Sequence, residues 1–273
     1  MQNRVRVVLR GLRGPSIVSS PFAVVVGTMF SSNINYLVLA LELMGVTLFQ
    51  MSANLVNDYQ DLRVENRKGL HNFVLPVREY QLLLRTAYVS MVVGSLLGVF
   101  VILITGAYLL VIPMGVGLVL AYGYSGIPFN LSRFGEFIVP FSFFLISLAV
   151  FYSQALTITL NGFLSPVAAS LFVFLTYITH QFSDYQEDLR TGNPTLLLKV
   201  GVRMSSIISY TALAVIIVLM YLLGLYYAII PMLALPYFLY IAHKNMDPIS
   251  VRRAQVYILA LEVFFIINAI LIH

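Results

Sequence analysis

A succession of long apolar stretches, nine of them in 273 residues, most limits what this chain can fold into. They lie near 15–33, 36–56, 82–104, 107–124, 137–156, 163–181, 205–223, 225–242 and 252–272. A helix needs about 20 apolar residues to cross the hydrocarbon core of a bilayer, where its backbone groups must be paired internally. The pattern therefore predicts an all-α, polytopic membrane protein of nine transmembrane helices. Composition agrees: 60% of residues are hydrophobic and 10% charged, against about 25% charged in a soluble domain. That excludes a water-soluble enzyme, a disordered chain and a nucleic-acid-binding module. With no cysteine present, disulfides, thiolate metal sites and Cys nucleophiles are excluded as well.

The basic residues set the predicted topology. All 16 Lys and Arg fall at the N-terminus, in the even-numbered connections or in the span ends beside those connections, while the odd connections carry none. By the positive-inside rule the N-terminus is then cytoplasmic and the C-terminus outside, in a multi-pass protein of the cell membrane. Residues 1–13 interleave Arg4, Arg6, Arg10 and Arg13 with Val and Leu, the pattern of a basic amphipathic segment lying on the membrane surface. No linker or repeat breaks the chain, so 1–273 reads as one domain.

Acidic residues are scarce, 11 in all, and six sit in two short stretches. Asp58, Asp61 and Glu65 follow the second apolar run; Asp184, Glu187 and Asp188 follow the sixth. If those helices continue, Asn57, Asp61 and Glu65 share one helical face, and Asp184 and Asp188 share another. Single charged helix ends are common as solvated loop charges with i,i+4 partners. Two stretches of matched composition holding most of the acids point instead to a bound cation. Carboxylates with a carboxamide are hard oxygen ligands, suited to Mg²⁺ or Ca²⁺ and poor for zinc; Mg²⁺ takes one or two carboxylates and completes its shell with water and phosphate. Nearby Arg63, Arg67, Lys68, Arg78, Arg133 and Arg190 suit direct contact with phosphate oxygens. Acids for a metal and bases for phosphate, at the mouth of an apolar bundle, describe a pocket for an amphiphilic diphosphate.

These residues also resemble a known family. Asn57-Asp-Tyr-Gln-Asp61 with Glu65 is similar to the NDxxDxxxD signature of the UbiA superfamily of intramembrane prenyltransferases. Asp184, Asp188, Gly192, Thr195, Leu196 and Gly201 fall on its second signature, DxxxDxxxGxxTLxxxxG, and Tyr124-Ser-Gly-Ile-Pro128 through Glu136 resembles its YSxxP…GxGE segment. The resemblance implies nine helices around a central cavity opening toward the cytoplasm. It implies Mg²⁺ as cofactor, and transfer of a prenyl chain from an isoprenyl diphosphate, through an allylic cation, to an aromatic quinone precursor or a lipid. It implies Asn57, Asp61, Asp184 and Asp188 as metal and diphosphate ligands, with Asp58 supporting them. Glu65 stands where Asp is usual, which makes direct coordination there less direct by one methylene. The diphosphate-contacting set is taken as Asn57, Arg63, Lys68, Arg78, Tyr124 and Arg133. Tyr124 begins the family's YxxxK motif, whose Lys is Pro128 here, and Arg133 supplies that charge. An Arg-Pro-x-Pro stretch usual after the first motif is absent, with His71 or Arg78 in its place. The NDYxD and YSGxP forms resemble most the menaquinone-pathway branch.

Other readings are a secondary transporter, disfavoured because the acids cluster at helix ends rather than at the midplane, and a terpene cyclase of the same superfamily. CDP-alcohol phosphotransfer lacks its DGxxAR core here. Tyr59, Tyr122, Tyr124, Tyr177 and Tyr185 lie near the motif ends as interfacial anchors or as faces for a cation. His180 lies on the Asp184 face, poised for substrate or simply hydrogen-bonded locally. Asn54 precedes Asp58 by one turn, to hold it or to bond a facing helix. Glu42 and Glu262, in mid-span, call for partners such as Gln50, Gln154 or Asn268.

Overall fold

The computed structural model describes residues 14–64, 77–124, 134–192 and 194–272, which are helices joined by short connections, with no strand among the described residues. The elements are α1 (Gly14–Met29), α2 (Tyr36–Val64), α3 (Val77–Thr105), a 3-10 turn (Tyr108–Leu110), α4 (Val111–Tyr124) and α5 (Gly135–Ala155). They continue with α6 (Leu160–Thr191), α7 (Leu196–Leu222), α8 (Tyr226–Met232), α9 (Leu235–Asn245) and α10 (Pro248–Ile272). Seven stretches are long and apolar enough to cross a membrane: Tyr36–Asn57, Gln81–Thr105, Gly135–Ala155, Leu160–Arg190, Leu196–Leu222, Tyr226–Asn245 and Pro248–Ile272. The runs predicted at 15–33 and 107–124 are helical too, but their apolar parts, Ser19–Met29 and Tyr108–Gly123, are shorter. The chain is thus a multi-pass membrane protein. The predicted surface segment 1–13 lies outside the described residues.

The eighth predicted span is two helices, α8 and α9. Pro231 lies near the end of the first and Pro236 in the first turn of the second; proline lacks the N–H that a continuous helix would use. The Pro231 carbonyl at this break accepts from Tyr257 Oη of α10 at 2.7 Å and from Ala234 N at 3.2 Å. Such re-pairing is what makes a break tolerable at membrane depth.

The main core joins α1, α5, α6, α7, α8, α9 and α10. At its centre Phe22, Phe172 and Phe265 meet edge to face, with ring centroids 6.0–6.1 Å apart, the geometry aromatic quadrupoles prefer. Small residues set the closest crossings, as expected where lipid offers no hydrophobic drive between helices. Gly27 of α1 lies so close to α5 that a Cβ there would run into the Ser147 carbonyl and the Val150 side chain. Gly27→Ala should therefore lower thermal stability by about 1–3 kcal/mol, because backbone cannot step aside as a side chain can. A melt in detergent unchanged from the parent protein would contradict that packing.

Relative helix direction follows from three contacts. Glu42, near the start of α2, accepts hydrogen bonds from the Ser153 hydroxyl and, at 3.2 Å, from Gln154 Nε2, both near the end of α5. Gln154 Oε1 in turn accepts from Asn35 N at 2.8 Å. So α2 runs antiparallel to α5, and the buried Glu42 has Gln154, one of the partners considered for it. At the same end of α5, the Phe151 ring occupies the space beside Gly162, in the first turn of α6. Hence α6 also runs antiparallel to α5. The acid-bearing ends of α2 and α6 consequently lie at one end of the bundle, opposite the Glu42 clasp. Both helices pack on α1.

Candidate active site

Helix α6 has 32 residues, about 48 Å at 1.5 Å per residue. That exceeds the ~30 Å hydrocarbon core, so its last turns, with the second acidic motif, project beyond it. The predicted span 163–181 is extended at both ends, and the helical continuation that aligns Asp184 with Asp188 is present. Asp188 is buried, 7% exposed, while Asp184 is half-buried and Glu187 exposed. The Ser183 hydroxyl lies 2.8 Å from Asp184 Oδ1 and 2.7 Å from the His180 carbonyl, and donates its single proton to one or the other. His180 Nε2 is 3.6 Å from Asp184 Oδ2, so this histidine is engaged locally, on the aspartate's face.

Two glycines of the motif have backbone roles. Gly192 ends α6 with φ +70° and Gly201 interrupts α7 with φ +81° and ψ 163°, both in the left-handed region where a Cβ is strained. Between them lies a short helical piece from Leu196 to Val200, so the predicted span at 205–223 is the part beyond the break. Three side chains fix this piece. Gln181, 7 residues before Asp188 and so on the same face, is buried and accepts from Leu197 N through Oε1 at 3.1 Å. Lys199 Nζ donates to Glu136 Oε1 at 2.7 Å and lies 5.6 Å from the Phe134 ring centre. Glu136 is 3% exposed. The pair ties the end of the third sequence segment to the second motif.

The sequence does not single out Gln181 or the Glu136–Lys199 pair, although Glu136 and Lys199 lie within the YSxxP…GxGE-like segment and the second acidic motif. Gln181 had one signal, its heptad spacing to Asp188. Two polar atoms here are buried without a partner, Gln181 Nε2 and Thr195 Oγ1. Native interiors seldom leave such groups unpaired unless a ligand or ion completes them.

At the other motif, Asn57 is half-buried and engaged. Asn54, one turn earlier, is buried and accepts from Gln50 Nε2 at 3.3 Å. Asp58, Asp61 and Arg63 lie on the last turns of α2, Arg78 on the first turn of α3 and Tyr124 at the end of α4; for these the structure describes backbone only. Glu65, Lys68, His71 and Arg133 lie outside the described residues. Tyr122 hydrogen-bonds with Tyr88, and Tyr59 lies near it, so two of the sequence-predicted tyrosines gather where α2, α3 and α4 end or begin. Among the described residues no three His, Asp or Glu side chains converge as a ready-made cage. The donor set still fits Mg²⁺, which needs only one or two carboxylates with water and phosphate. Asp184 and Asp188 would hold it, while the unpaired Thr195 hydroxyl and Gln181 Nε2 are free to bond phosphate oxygens.

No curated protein matches the chain by sequence. Solved structures do match in shape. Digeranylgeranylglyceryl phosphate synthase superposes with TM-score 0.67 at 15% identity, covering 98% of this chain and 99% of that one. A UbiA homologue from Archaeoglobus fulgidus bound to GPP and Mg²⁺ gives TM-score 0.65 at 16% identity, over 97% and 99% of the two chains. A UbiA homologue from Archaeoglobus fulgidus bound to DMAPP and Mg²⁺ gives 0.63 at 17% identity, over 97% and 99%. In sequence, the UbiA prenyltransferase family matches residues 18–268, nearly the whole length. A membrane bundle with paired acidic helix ends, matched along almost its full length, belongs to the UbiA prenyltransferase family.

Proposed function

We propose that this protein transfers a prenyl chain from an isoprenyl diphosphate to an aromatic quinone precursor within the cell membrane, with Mg²⁺ as cofactor and the reaction at the cytoplasmic face. The observation that carries the reading is the family match over 18–268 in a chain whose two acidic helix ends share one end of the bundle. A related protein of the same fold is described with GPP and Mg²⁺ bound, which supports the donor class.

In this reading Asp61, Asp184 and Asp188, with Asn57 and supported by Asp58, hold the metal, and Glu65 reaches it less directly. Arg63, Lys68, Arg78, Tyr124 and Arg133 receive the diphosphate. Mg²⁺, when bound, neutralises charge that builds on the departing diphosphate. Arg and Lys add fixed positive charge aimed at the same oxygens, which favours the transition state over bound substrate. The apolar helices keep water from an allylic cation that it would quench, and tyrosine faces stabilise that cation without reacting. Gln181 and the Lys199–Glu136 pair are positioning residues that hold the 192–201 turn against the acids.

Purified protein with labelled geranyl, farnesyl or geranylgeranyl diphosphate should prenylate 1,4-dihydroxy-2-naphthoate or 4-hydroxybenzoate, as read by mass spectrometry. Chelation should abolish the product and Mg²⁺ restore it. A glycerol-phosphate lipid as the sole productive acceptor would replace the aromatic assignment. A cyclic hydrocarbon formed with no acceptor would replace transfer by cyclisation.

A further inference from the structure

The last membrane-crossing helix, α10, carries two adjacent arginines that the prenyl-transfer reading does not use. Arg252 and Arg253 lie in the second turn of α10, at the basic end of the bundle. Both are exposed, and among the described residues neither has a carboxylate within ion-pair distance. The nearest acid in sequence, Asp247, is already committed: its Oδ1 accepts from Ile249 N and Ser250 N, each at 2.9 Å, capping the helix. Both arginines line a groove of about 630 Å³ between α9 and α10, and they are its only charged residues. Its remaining walls are apolar or aromatic, chiefly Phe238, Ile249, Val256, Tyr257 and Ala260. The floor is firm. Tyr257 stacks on Phe238 with centroids 4.4 Å apart, and its hydroxyl is anchored on Pro231.

From Arg252 to Ala260 the groove follows the helix for about 12 Å, inward from the membrane boundary. A ligand with one anionic phosphate and a hydrocarbon chain matches both parts at once. Free phosphate would leave the apolar wall uncovered, and a zwitterionic lipid would bring its own cation to the arginines. We propose that this groove is a binding site for an anionic phospholipid of the adjacent leaflet, with its phosphate on Arg252 and Arg253 and one acyl chain along Val256, Tyr257 and Ala260. Two arginines near a membrane surface are each worth roughly a five-fold gain for an anionic headgroup, which distinguishes the site from ordinary lipid contact.

The test is native mass spectrometry of the detergent-solubilised protein with dioleoyl phosphatidylglycerol, dioleoyl phosphatidylcholine or glycerol phosphate. Phosphatidylglycerol should be retained one per chain under conditions that strip phosphatidylcholine. Arg252→Gln with Arg253→Gln should weaken retention about 25-fold, and the Lys pair should keep most of it. Ala260→Trp, an exposed position, should fill the groove and lose the lipid with both charges intact. Equal retention of the two lipids, persistence in the Gln pair, or persistence in Ala260→Trp would overturn the proposal. Competition by glycerol phosphate would reduce it to a phosphate site. Each variant is checked for parental helicity and melting, and none touches the prenyl-transfer residues, so failure here leaves that function standing.

Discussion

Asp188→Asn is expected to lower turnover about 10²–10³-fold, the range typical for removing one preorganised electrostatic contact to a transition state. The substitution keeps size and helix and removes only charge. Asp188 is buried at the end of α6, one turn after Asp184 and on the face that Gln181 pins to the start of α7. In the proposed reading this buried carboxylate is a metal ligand, and its desolvation is offset by the cation it holds. Glu187→Gln is the internal control. It removes the same charge one residue away, at an exposed position, and should change turnover less than about three-fold, since screened surface charge contributes little. Steady-state assays of the two variants at saturating Mg²⁺ decide the matter. Equal losses would mean that bulk negative charge, rather than this face, matters.

The second large effect concerns stability. Lys199→Met should cost about 2–3 kcal/mol, because it leaves Glu136, 3% exposed, without its cation. The Lys side chain is 35% exposed, so the figure stays below that for a fully buried pair. The double variant Glu136→Gln with Lys199→Met should recover most of the loss, since no uncompensated charge remains. Thermal unfolding of the three proteins in one detergent measures this coupling. Additive losses would show that the pair is incidental. If the pair also positions the 192–201 turn, Lys199→Met should raise KM for the diphosphate more than it lowers kcat.

Sequence legibility divided along physical lines. Long apolar runs are a strong, local signal, so helices were readable wherever the chain is buried in lipid. The ends were not. Nothing in the hydropathy of Thr195 to Val200 shows that they form a helical piece separated from the span by Gly201, because that depends on one backbone angle. The split of the eighth span at Pro231 and Pro236 follows from proline chemistry, yet its position depends on Tyr257 reaching across to the freed carbonyl.

The acids of the second motif were readable because i,i+4 spacing on a continuing helix leaves no freedom in the face they share. Pairings across the fold were not readable. Glu136 and Lys199 are 63 residues apart, and charge alone offered Lys199 other partners. Glu42 met Gln154, a partner considered for it, because both lie at the same end of antiparallel helices. Glu262 stays unexplained: it is 2% exposed, with Oε1 lacking a hydrogen bond.

The central claim is that two acidic helix ends, far apart in sequence, grip one metal-bound diphosphate. Mn²⁺ binding followed by electron paramagnetic resonance, with unreactive geranyl thiodiphosphate present, addresses it without relying on catalysis. One Mn²⁺-binding site type, dependent on the analogue, should lose affinity by about 100-fold or more in Asp61→Asn and equally in Asp188→Asn. An undiminished metal site in either variant would show that one motif binds alone, and the shared grip would be wrong.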